Sequence, residues 1–530
     1  MPNLRTKQVR RLVRVVLLMP GMLGVAQAAG EAATPAKVTL REYIVRGNTV
    51  LDTQTIERAV YPFLGPDRAM SDLQAAREAL QKAYNERGYE SVYVDLPEQR
   101  VTGGVVLLLV TETRVGRLRV TGAQHRSPLE IRDQVPALRE GEVPDFRLAQ
   151  RQLGELNSAS QEVIPSVKQG VVPGTMDVDL QVKDESPWGA SVGLNNDYSV
   201  DTTTLRAMAT LSHNNLWQKS HSASLTFYTA PRDRDDAKVF SASYSLPLAS
   251  RWSLDFSGYT SDSDVATVGG TNVLGKGYSF GTSATYRWEP IGNGYHSVSL
   301  GLELKNFDED VTFGPDKQHV PIRYVPFTFG YSGMWSADTS QSMVDLSLTG
   351  ASRSFFSIGS DEARFQDKRW LANPSFMLFK GNLSHTQDIW WRWQLHGRLG
   401  FQFASGPLVS NEQFSAGGAT SVRGYYAAES TGDDGYMAGV ELRTPSLSNW
   451  VGKPFNEWRF YLFAETAEVK LQEPLPEQRS RYQLSSVGIG TRQQLFDGFS
   501  TDVDWGYPLQ DGPNTDKYDS RLNMNLSASF

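Results

Sequence analysis

The sequence predicts a sixteen-stranded antiparallel β-barrel of the outer-membrane type, preceded by two periplasmic α+β modules. Three observations predict this fold: segments of alternating apolar and polar residues after Pro187, connections of alternating length, and an export signal on a chain without cysteine. Period-two alternation marks strands with one apolar and one polar face. Short turns on one side and long loops on the other are typical of outer-membrane barrels.

The N-terminus has the three regions of a secretory signal peptide. A basic segment precedes the apolar run VVLLMPGMLGVA, and Ala26-Gln27-Ala28 supplies small residues for cleavage. The basic residues of this segment are Arg5, Lys7, Arg10, Arg11 and Arg14. We therefore predict that residues 1–28 are a signal peptide and that residues 29–37 form a short linker.

Composition restricts the class of the exported chain. Removal of the signal lowers the count of Lys and Arg from 52 to 47 against 59 acidic residues, which gives a net charge of −12. A chain this acidic is not expected to bind nucleic acid, because proteins that do so carry basic surfaces. Without cysteine there are no disulfides, so a closed sheet is expected to hold the exported chain together.

Residues 38–113 show the order strand, two helices, two strands. The segment YIVRGNTVL predicts a strand and a turn at Gly47-Asn48, and Gly88 is expected to end the second helix. The segments SVYVDLP and GGVVLLLVTE are predicted as the closing strands. The second helix has an apolar face at helical spacing, which consists of Leu73, Ala76, Leu80 and Tyr84.

Residues 114–186 predict a second module of similar size, with a strand in GRLRVTGA, a helix in DFRLAQRQLGEL and a strand in PGTMDVDLQVKD. Modules of this kind present a sheet edge beside a helix groove. Such an edge suits an unfolded chain that joins the sheet as an extra strand. The alternative is that both modules are plain structural spacers.

Residues 187–530 contain sixteen candidate strands, beginning near GASVGLNN. HSVSLGLELK and WRWQLHGRLGFQF are two clear examples, and the second would span about 40 Å at roughly 3.3 Å per residue. Its predicted apolar face consists of Trp391, Trp393, Leu395, Leu399, Phe401 and Phe403. Its predicted polar face consists of Arg392, Gln394, His396, Arg398 and Gln402. Soluble sheets seldom place so many charges opposite paired tryptophans.

The connections and the C-terminus support a closed barrel. Short joins such as LWQKSH, PLASR, EPIGNGY and FDG alternate with long ones such as SDSDVATVGGTNVLGKG, FDEDVTFGPDKQHV and PLQDGPNTDKYDS. The final segment alternates from Leu522 to Phe530 and ends without a tail. We predict that it pairs with the first strand and that Phe530 lies at the periplasmic interface, where aromatic residues collect.

The connection between the eleventh and twelfth predicted strands, residues 406–435, is long enough to enter the lumen. Half of it could reach about 50 Å when fully extended, whereas the apolar wall of such a barrel is about 25 Å tall. A sixteen-stranded barrel also leaves an aqueous channel. We therefore predict that this loop folds back into the lumen as a lid.

Several motifs resemble those of a known family. The GNT turn, YNERGY helix end, LPEQ and final VTE of the first module resemble a polypeptide-transport-associated (POTRA) domain, and the second module is similar to one. FSAGGATSVRGYY followed by GYMAGVELRTP resembles the lid loop of the POTRA-barrel superfamily. Two POTRA-like modules before a barrel of this size resemble its two-partner secretion branch, the haemolysin and adhesin exporters. The lid-loop motif VRGY comprises Val422, Arg423, Gly424 and Tyr425.

The resemblance implies a partner for the arginine of this motif. In the family, the partner acid lies on the strand after next in an F-x-D-x-G pattern. Here Phe463 keeps the first position, Glu465 replaces the aspartate and Ala467 replaces the glycine. An arginine in a lumen needs a carboxylate, which its planar fork can bind bidentately. Glu465 is therefore expected to pair with Arg423, although its extra methylene changes the geometry of the pair.

The neighbours of the arginine have expected roles of their own. Gly424 would let the loop backbone approach the barrel wall. Tyr425 or Tyr426 would pack against the wall with its hydroxyl in water. The terminal aromatic Phe530 resembles the signal that the barrel-assembly machinery reads.

The resemblance implies an outer-membrane translocase that exports an unfolded exoprotein, such as an adhesin or a cytolysin. Its expected partners are this exoprotein, recognised through the POTRA domains, together with outer-membrane lipid and the barrel-assembly machinery; no cofactor is expected. One alternative is a barrel-assembly insertase of the same superfamily, which more often has three or more POTRA domains. A passive porin would have no need of periplasmic modules.

An outer-membrane enzyme is the remaining alternative. The sequence contains no HExxH motif and no cysteine ligands, and its histidines form no defensible nucleophile or metal pattern. His396 is expected to face the lumen as an ordinary polar residue. The seven histidines are His125, His213, His221, His296, His319, His385 and His396.

Overall fold

The computed structural model describes residues 37–157, 160–248, 251–263, 266–268, 271–273, 276–313, 316–353 and 359–530. The predicted signal peptide and residues 29–36 of the predicted linker lie outside the described residues. None of the helices in these ranges is both long and apolar enough to cross a bilayer.

The N-terminal module has the predicted order of a strand, two helices and two strands, with one additional pair of short strands. Its main sheet has the order β2-β5-β4, in which β2 is parallel and β4 antiparallel to β5, and β1 pairs with β3. The elements are β1 (Val38–Leu40), β2 (Glu42–Arg46), α1 (Thr53–Val60), a 3-10 turn (Tyr61–Phe63), β3 (Gly65–Arg68), α2 (Met70–Glu86), β4 (Val92–Asp95) and β5 (Val105–Glu112).

The predicted apolar face of α2 packs into the core of this module. All four of its residues are buried, and Tyr84 also donates a hydrogen bond from its hydroxyl to Asn48 Oδ1 at 2.6 Å. Burial raises the pKa of the Tyr84 hydroxyl, so this donor keeps its proton. Gly47 has a φ of +94°, and a Cβ there would lie 2.1 Å from the carbonyl oxygen of Val110. The GNT turn therefore requires glycine.

The second module has the same order of helices followed by two strands. Its sheet has the order β6-β8-β7. At the end of β8, the carboxylate of Asp184 accepts the backbone N–H groups of Gln124, His125 and Arg126, which fixes the turn after β6. The elements are β6 (Arg114–Thr121), α3 (Pro128–Asp133), a 3-10 turn (Pro136–Leu138), α4 (Phe146–Leu156), β7 (Gln161–Gln169) and β8 (Thr175–Asp184).

The rest of the chain forms the predicted barrel, which is closed by antiparallel pairing of β29 with β9. Its first half contains β9 (Trp188–Asn195), β10 (Arg206–Leu216), β11 (His221–Thr229), β12 (Ala237–Pro247), β13 (Trp252–Ser263), β14 (Ala266–Val268), β15 (Thr271–Val273), β16 (Gly277–Arg287), β17 (Gly294–Phe313), β18 (Asp316–Tyr324) and β19 (Pro326–Ala337). Its second half contains β20 (Ser340–Ala351), α5 (Glu362–Lys368), β21 (Phe376–Asp388), β22 (Gln394–Ala404), β23 (Phe414–Ala416), β24 (Ser430–Gly432), β25 (Asp434–Arg443), α6 (Ser448–Val451), β26 (Phe455–Lys470), β27 (Arg481–Leu495), β28 (Phe499–Pro508) and β29 (Arg521–Ser529).

The predicted count of sixteen wall strands is confirmed. The segments β18 and β19 pair with β17 in the same register, with a gap only at Val325 and Pro326, so they occupy a single wall position. The hairpins β14/β15 and β23/β24 lie outside the wall. The C-terminus closes the ladder as predicted, because the backbone N–H of Phe530 donates to the carbonyl oxygen of Ala190 at 2.8 Å and the N–H of Ala190 donates to the carbonyl oxygen of Phe530 at 3.1 Å.

Two expectations about individual strands are wrong. Trp391 and Trp393 do not belong to the apolar face of β22, because Trp390–Arg392 form a 3-10 turn and the strand begins at Gln394. Trp390, Trp391 and Trp393 therefore all precede the strand. The predicted loop FDEDVTFGPDKQHV is largely strand, since β17 and β18 extend the wall as a hairpin.

Exposed tryptophans that the strand pattern does not predict lie in the short turns and at the first positions of two strands. They lie at the end of the barrel where β9 begins and β29 finishes. Tryptophan rings prefer the level of lipid headgroups, so this ring of side chains marks one membrane interface. Its members are Trp188, Trp217, Trp252, Trp288, Trp390, Trp391 and Trp450.

Candidate functional site

The connection between β22 and β25, residues 405–433, lies against lumen-facing side chains of the barrel. It forms a short hairpin in which β23 pairs with β24, from Phe414↔Gly432 to Ala416↔Ser430. The VRGY motif lies between these two strands. Val422 is fully buried there, in a cluster with Ala416 and with side chains of β26 and β27.

Arg423 is the centre of the site and is only 3% exposed. Its backbone N–H donates to Glu465 Oε2 at 2.8 Å, and its Nε donates to Glu465 Oε1 at 3.0 Å. Nη2 also donates to Oε1. The Nε and Nη2 atoms of the guanidinium therefore bind one carboxylate oxygen of Glu465, and the backbone N–H of Arg423 binds the other. The structure thus brings the two predicted residues into direct contact, with a geometry other than a simple bidentate pair.

Two further acids, absent from the sequence prediction, surround the same guanidinium. Arg423 Nη2 lies 2.8 Å from Glu441 Oε1 on β25, and Nη1 lies 3.1 Å from Asp504 Oδ1 on β28. The ring of Phe463 lies under the guanidinium at 3.7 Å, a cation–π distance. In the sequence, these acids stand at lumen-facing positions of alternating strands. That pattern does not show which of the lumen-facing acids meet in space.

Balancing cations complete the cluster. Arg398 on β22 donates to Glu465 Oε1 and to the carbonyl oxygens of Thr420 and Ser421 on the lid. Arg443 pairs with Glu441 at 2.6 Å. Buried charges persist only when they are paired and hydrogen-bonded. We call this cluster the lid lock; it consists of Arg398, Arg423, Glu441, Arg443, Glu465 and Asp504.

Gly424 brings the loop backbone against β28. Its φ is +99°, and a Cβ at this position would lie 3.1 Å from the carbonyl carbon of Gly506. A Cβ on Gly506 would lie 2.5 Å from the nitrogen of Gly424. Two facing glycines thus permit the close approach of the lid to the wall.

The two tyrosines after the motif have different surroundings. Tyr425 is 1% exposed, and its hydroxyl lies 2.8 Å from the carbonyl oxygen of Gln510 and 3.0 Å from that of Ser485. The expectation of a hydroxyl in water is therefore wrong for Tyr425, because β27 and the loop between β28 and β29 supply its hydrogen-bond partners. Tyr426 packs edge-on against Tyr198 at 5.5 Å, with the guanidinium of Arg521 over its ring.

Further anchors hold the rest of the lid. Glu429 accepts the backbone N–H groups of Asn514 and Thr515 at 2.6 and 2.8 Å, in the loop between β28 and β29. Asp433 accepts Arg369 Nη2 at 2.8 Å and the backbone N–H of Leu408 at 2.8 Å. These carboxylates accept hydrogen bonds from backbone N–H groups that have no backbone partner in an irregular loop.

Glu412, in the part of the lid before β23, anchors the lid to β17 and β18. It is buried, and it accepts Lys305 Nζ from β17 at 2.6 Å and the hydroxyl of Tyr324 from β18 at 2.7 Å. The neighbouring lid residues Leu408 and Val409 join a hydrophobic cluster with side chains of β17, β18, α5 and β21. The lid is therefore attached on several sides of the lumen by different chemistry.

A polar cavity of about 610 Å³ adjoins the lid lock. Its lining includes four lock residues from the wall, the tip of the lid around Arg423, and residues of β9 and β29, the two strands that close the barrel. His396 also lines it, in agreement with the expected lumen-facing position. The cavity is lined by side chains of both charges.

Two strings of the form G-x-S-x-G occur at residues 189–193 and 277–281. A nucleophile elbow needs a strand-to-helix turn, whereas both strings lie within continuous wall strands, β9 and β16. In the described ranges, no group of His, Asp and Glu residues is arranged to hold a metal ion.

Family models match both parts of the chain. The model described as "Haemolysin secretion/activation protein ShlB/FhaC/HecB" matches residues 174–493, and that of the ShlB-type POTRA domain matches residues 38–113. The Escherichia coli outer membrane transporter CdiB is 24% identical over 433 residues, covering 76% of this chain and 68% of the relative. The heme/hemopexin transporter protein HuxB of Haemophilus influenzae strain 86-028NP is 20% identical over 507 residues, covering 92% and 86%.

Solved structures share the fold. Escherichia coli CdiB aligns with a TM-score of 0.63 at 20% identity, over 96% of this chain and 93% of that one. BamA from Haemophilus ducreyi, lacking POTRA domains 1–3, aligns with a TM-score of 0.55 at 15% identity, over 93% and 100%. The first family model covers more than half of the sequence and includes the lid. The chain therefore belongs to the ShlB/FhaC/HecB family of haemolysin secretion/activation proteins, the outer-membrane transporters of two-partner secretion, with its POTRA region in the periplasm.

Proposed function

We propose that this transporter binds an unfolded exoprotein through its N-terminal modules and exports it through the barrel lumen to the cell surface. The observation that carries the proposal is a lid held by side chains inside a barrel that closes without it. The wall ladder passes directly from β22 to β25, so the lid can move while every wall strand stays paired. A gated channel requires a lid that can move independently of the barrel wall.

The modules support the recognition step. Each has a three-stranded sheet with two outer strands, and an extended chain can add to such an edge by backbone hydrogen bonds. The proposal assigns the chain no catalytic role and no cofactor. The exported protein is proposed as an adhesin, a cytolysin or a protein of similar kind.

The lid lock is proposed as the device that sets the resting position of the lid. Phe463 stacks on Arg423, Glu465 joins the wall to the lid, and Gly424 permits their approach. Because the lock consists of ion pairs and hydrogen bonds, a passing polar chain can replace its contacts one by one. A hydrophobic plug would have to be removed as a unit.

We expect the folding of the exported protein outside the cell to drive its export, because folding removes the unfolded chain from the channel by mass action. Co-expression of this transporter with a candidate exoprotein should release the folded protein into the medium. A variant of the exoprotein that cannot fold should leave at least tenfold more slowly and accumulate across the membrane, as measured by protease accessibility. Export of that variant at an unchanged rate would exclude this energy source.

Phe530 is proposed as the signal for the barrel-assembly machinery. Its side chain is 82% exposed, while its backbone completes the ladder, so the ring itself is not needed for closure. Phe530→Ser should reduce the amount of heat-modifiable barrel in the membrane severalfold. Phe496→Ser, at another exposed phenylalanine of a short turn, is the control and should assemble normally. Equal assembly of both variants would contradict the role of Phe530.

A further inference from the structure

Gln81 covers an outer edge of the sheet in the first module. It lies on α2, and its Nε2 donates to the carbonyl oxygen of Val92 on β4 at 2.7 Å. Its Oε1 accepts the backbone N–H of Val94, two residues further along β4, at 2.9 Å. One side-chain amide thus satisfies both a donor and an acceptor of the same strand.

These two backbone groups belong to the free side of β4. Successive residues of a strand direct their backbone bonds to opposite sides, and β4 pairs with β5 on one side only. Since the N–H of Val94 is bound to Gln81, the bonds to β5 come from Tyr93 and Asp95. Gln81 therefore occupies the place of a further strand beside β4.

A second glutamine shows that an amide can replace a strand in this sheet. Gln99, in the LPEQ segment, donates from Nε2 to Leu107 O at 2.8 Å and accepts the N–H of Leu107 at 2.7 Å. Leu107 lies just beyond the part of β5 that β4 covers, so Gln99 extends an internal ladder. Gln81, by contrast, binds the side of β4 that faces away from β5.

We propose that Gln81 is a displaceable latch on the β4 edge and that an extended segment of the exported chain takes its place. This inference rests on the proposed function. The occupant is a peptide backbone because the groups that Gln81 satisfies are a strand N–H and C=O, for which a peptide supplies the same amide donor and acceptor. Tyr93, 68% exposed beside this edge, offers an apolar contact to alternate side chains of such a strand.

The latch explains how the β4 edge can bind an exported chain and still avoid aggregation when no chain is bound. An unprotected edge strand pairs with other chains and promotes aggregation. A side-chain amide gives up its bonds without unfolding the module, and the incoming chain replaces them with backbone bonds of the same kind. The latch therefore lowers the affinity for the exported chain and protects the empty module.

The test compares Gln81→Ala with Gln74→Ala in the full-length chain in detergent. Gln74 is an exposed glutamine seven residues earlier on α2, two turns away on the same side of the helix. The probes are synthetic peptides with alternating apolar and polar residues and the unfolded N-terminal part of a candidate exoprotein. Gln81→Ala should bind them on the order of tenfold more tightly, because no amide competes for the edge. Gln74→Ala should bind like the wild type.

Hydrogen exchange at Val94 gives a second readout. In Gln81→Ala, the Val94 amide should lose protection that the Tyr93 amide keeps, and the probe should restore it. Unchanged or weaker binding by Gln81→Ala would overturn the latch, as would self-association of this variant without tighter peptide binding. If the wild type binds no probe at all and exports without its first module, the proposed function itself fails.

Discussion

Replacement of Arg423 by alanine should reduce export at least tenfold while the barrel remains assembled in the membrane. The substitution leaves Glu441, Glu465 and Asp504 without the cation that they share. Removal of one partner from a buried charge cluster costs about 3–5 kcal/mol. A lid without this lock has no fixed resting position, so the exported chain meets no defined passage, whereas the wall ladder is unaffected.

Lysine should not rescue the defect, because a single ammonium cannot reach three carboxylates as the planar fork does. Glu465→Ala should give a similar loss, since Glu465 also holds Arg398. The double variant of Arg423 and Glu465 should be little worse than either single variant if the two residues act as one unit. Arg479→Ala, at an exposed loop arginine, is the matched control.

Export is measured as exoprotein released into the medium, and assembly as the heat-modifiable band of the barrel. Ion conductance through the purified barrel reports the position of the lid and should rise for Arg423→Ala. Full export by Arg423→Ala would eliminate the lock as an essential feature. Loss of the barrel band would show instead that Arg423 serves assembly.

Deletion of residues 38–112 should abolish export and leave a heat-modifiable barrel in the membrane. The module has its own sheet and a hydrophobic cluster made only of its own residues, and the barrel closes through β9 and β29 with no strand from it. The deletion therefore removes the proposed recognition surface without removing a wall contact. The expected loss is at least a hundredfold, because an unfolded chain must then find the lumen unaided.

A point variant shows whether the export defect comes from loss of the folded module or from the shorter chain. Leu80→Asp places a charge at a fully buried position of α2 and should unfold the module. It should reduce export as strongly as the deletion does, with the barrel band again unchanged. Normal export by either variant would show that the module is a spacer.

The sequence determined the elements of this protein because their signals are local. Alternation of apolar and polar residues predicted the wall strands and the closing role of Phe530, since a strand's two faces meet different surroundings along its whole length. Loop length predicted that residues 406–435 enter the lumen, and the resemblance of the VRGY motif and of the Glu465 segment to a known family implied that Arg423 meets Glu465. Helical spacing predicted the buried face of α2.

Only the tertiary structure decided which distant residues converge. Glu441, Asp504 and Arg398 lie on three different wall strands, and their positions depend on the register of every strand around the closed barrel. Alternation specifies the face on which a side chain lies, but it does not specify its height or its neighbours across the lumen. The buried hydroxyl of Tyr425 and the latch at Gln81 likewise depend on backbone groups of other elements, which no local pattern encodes.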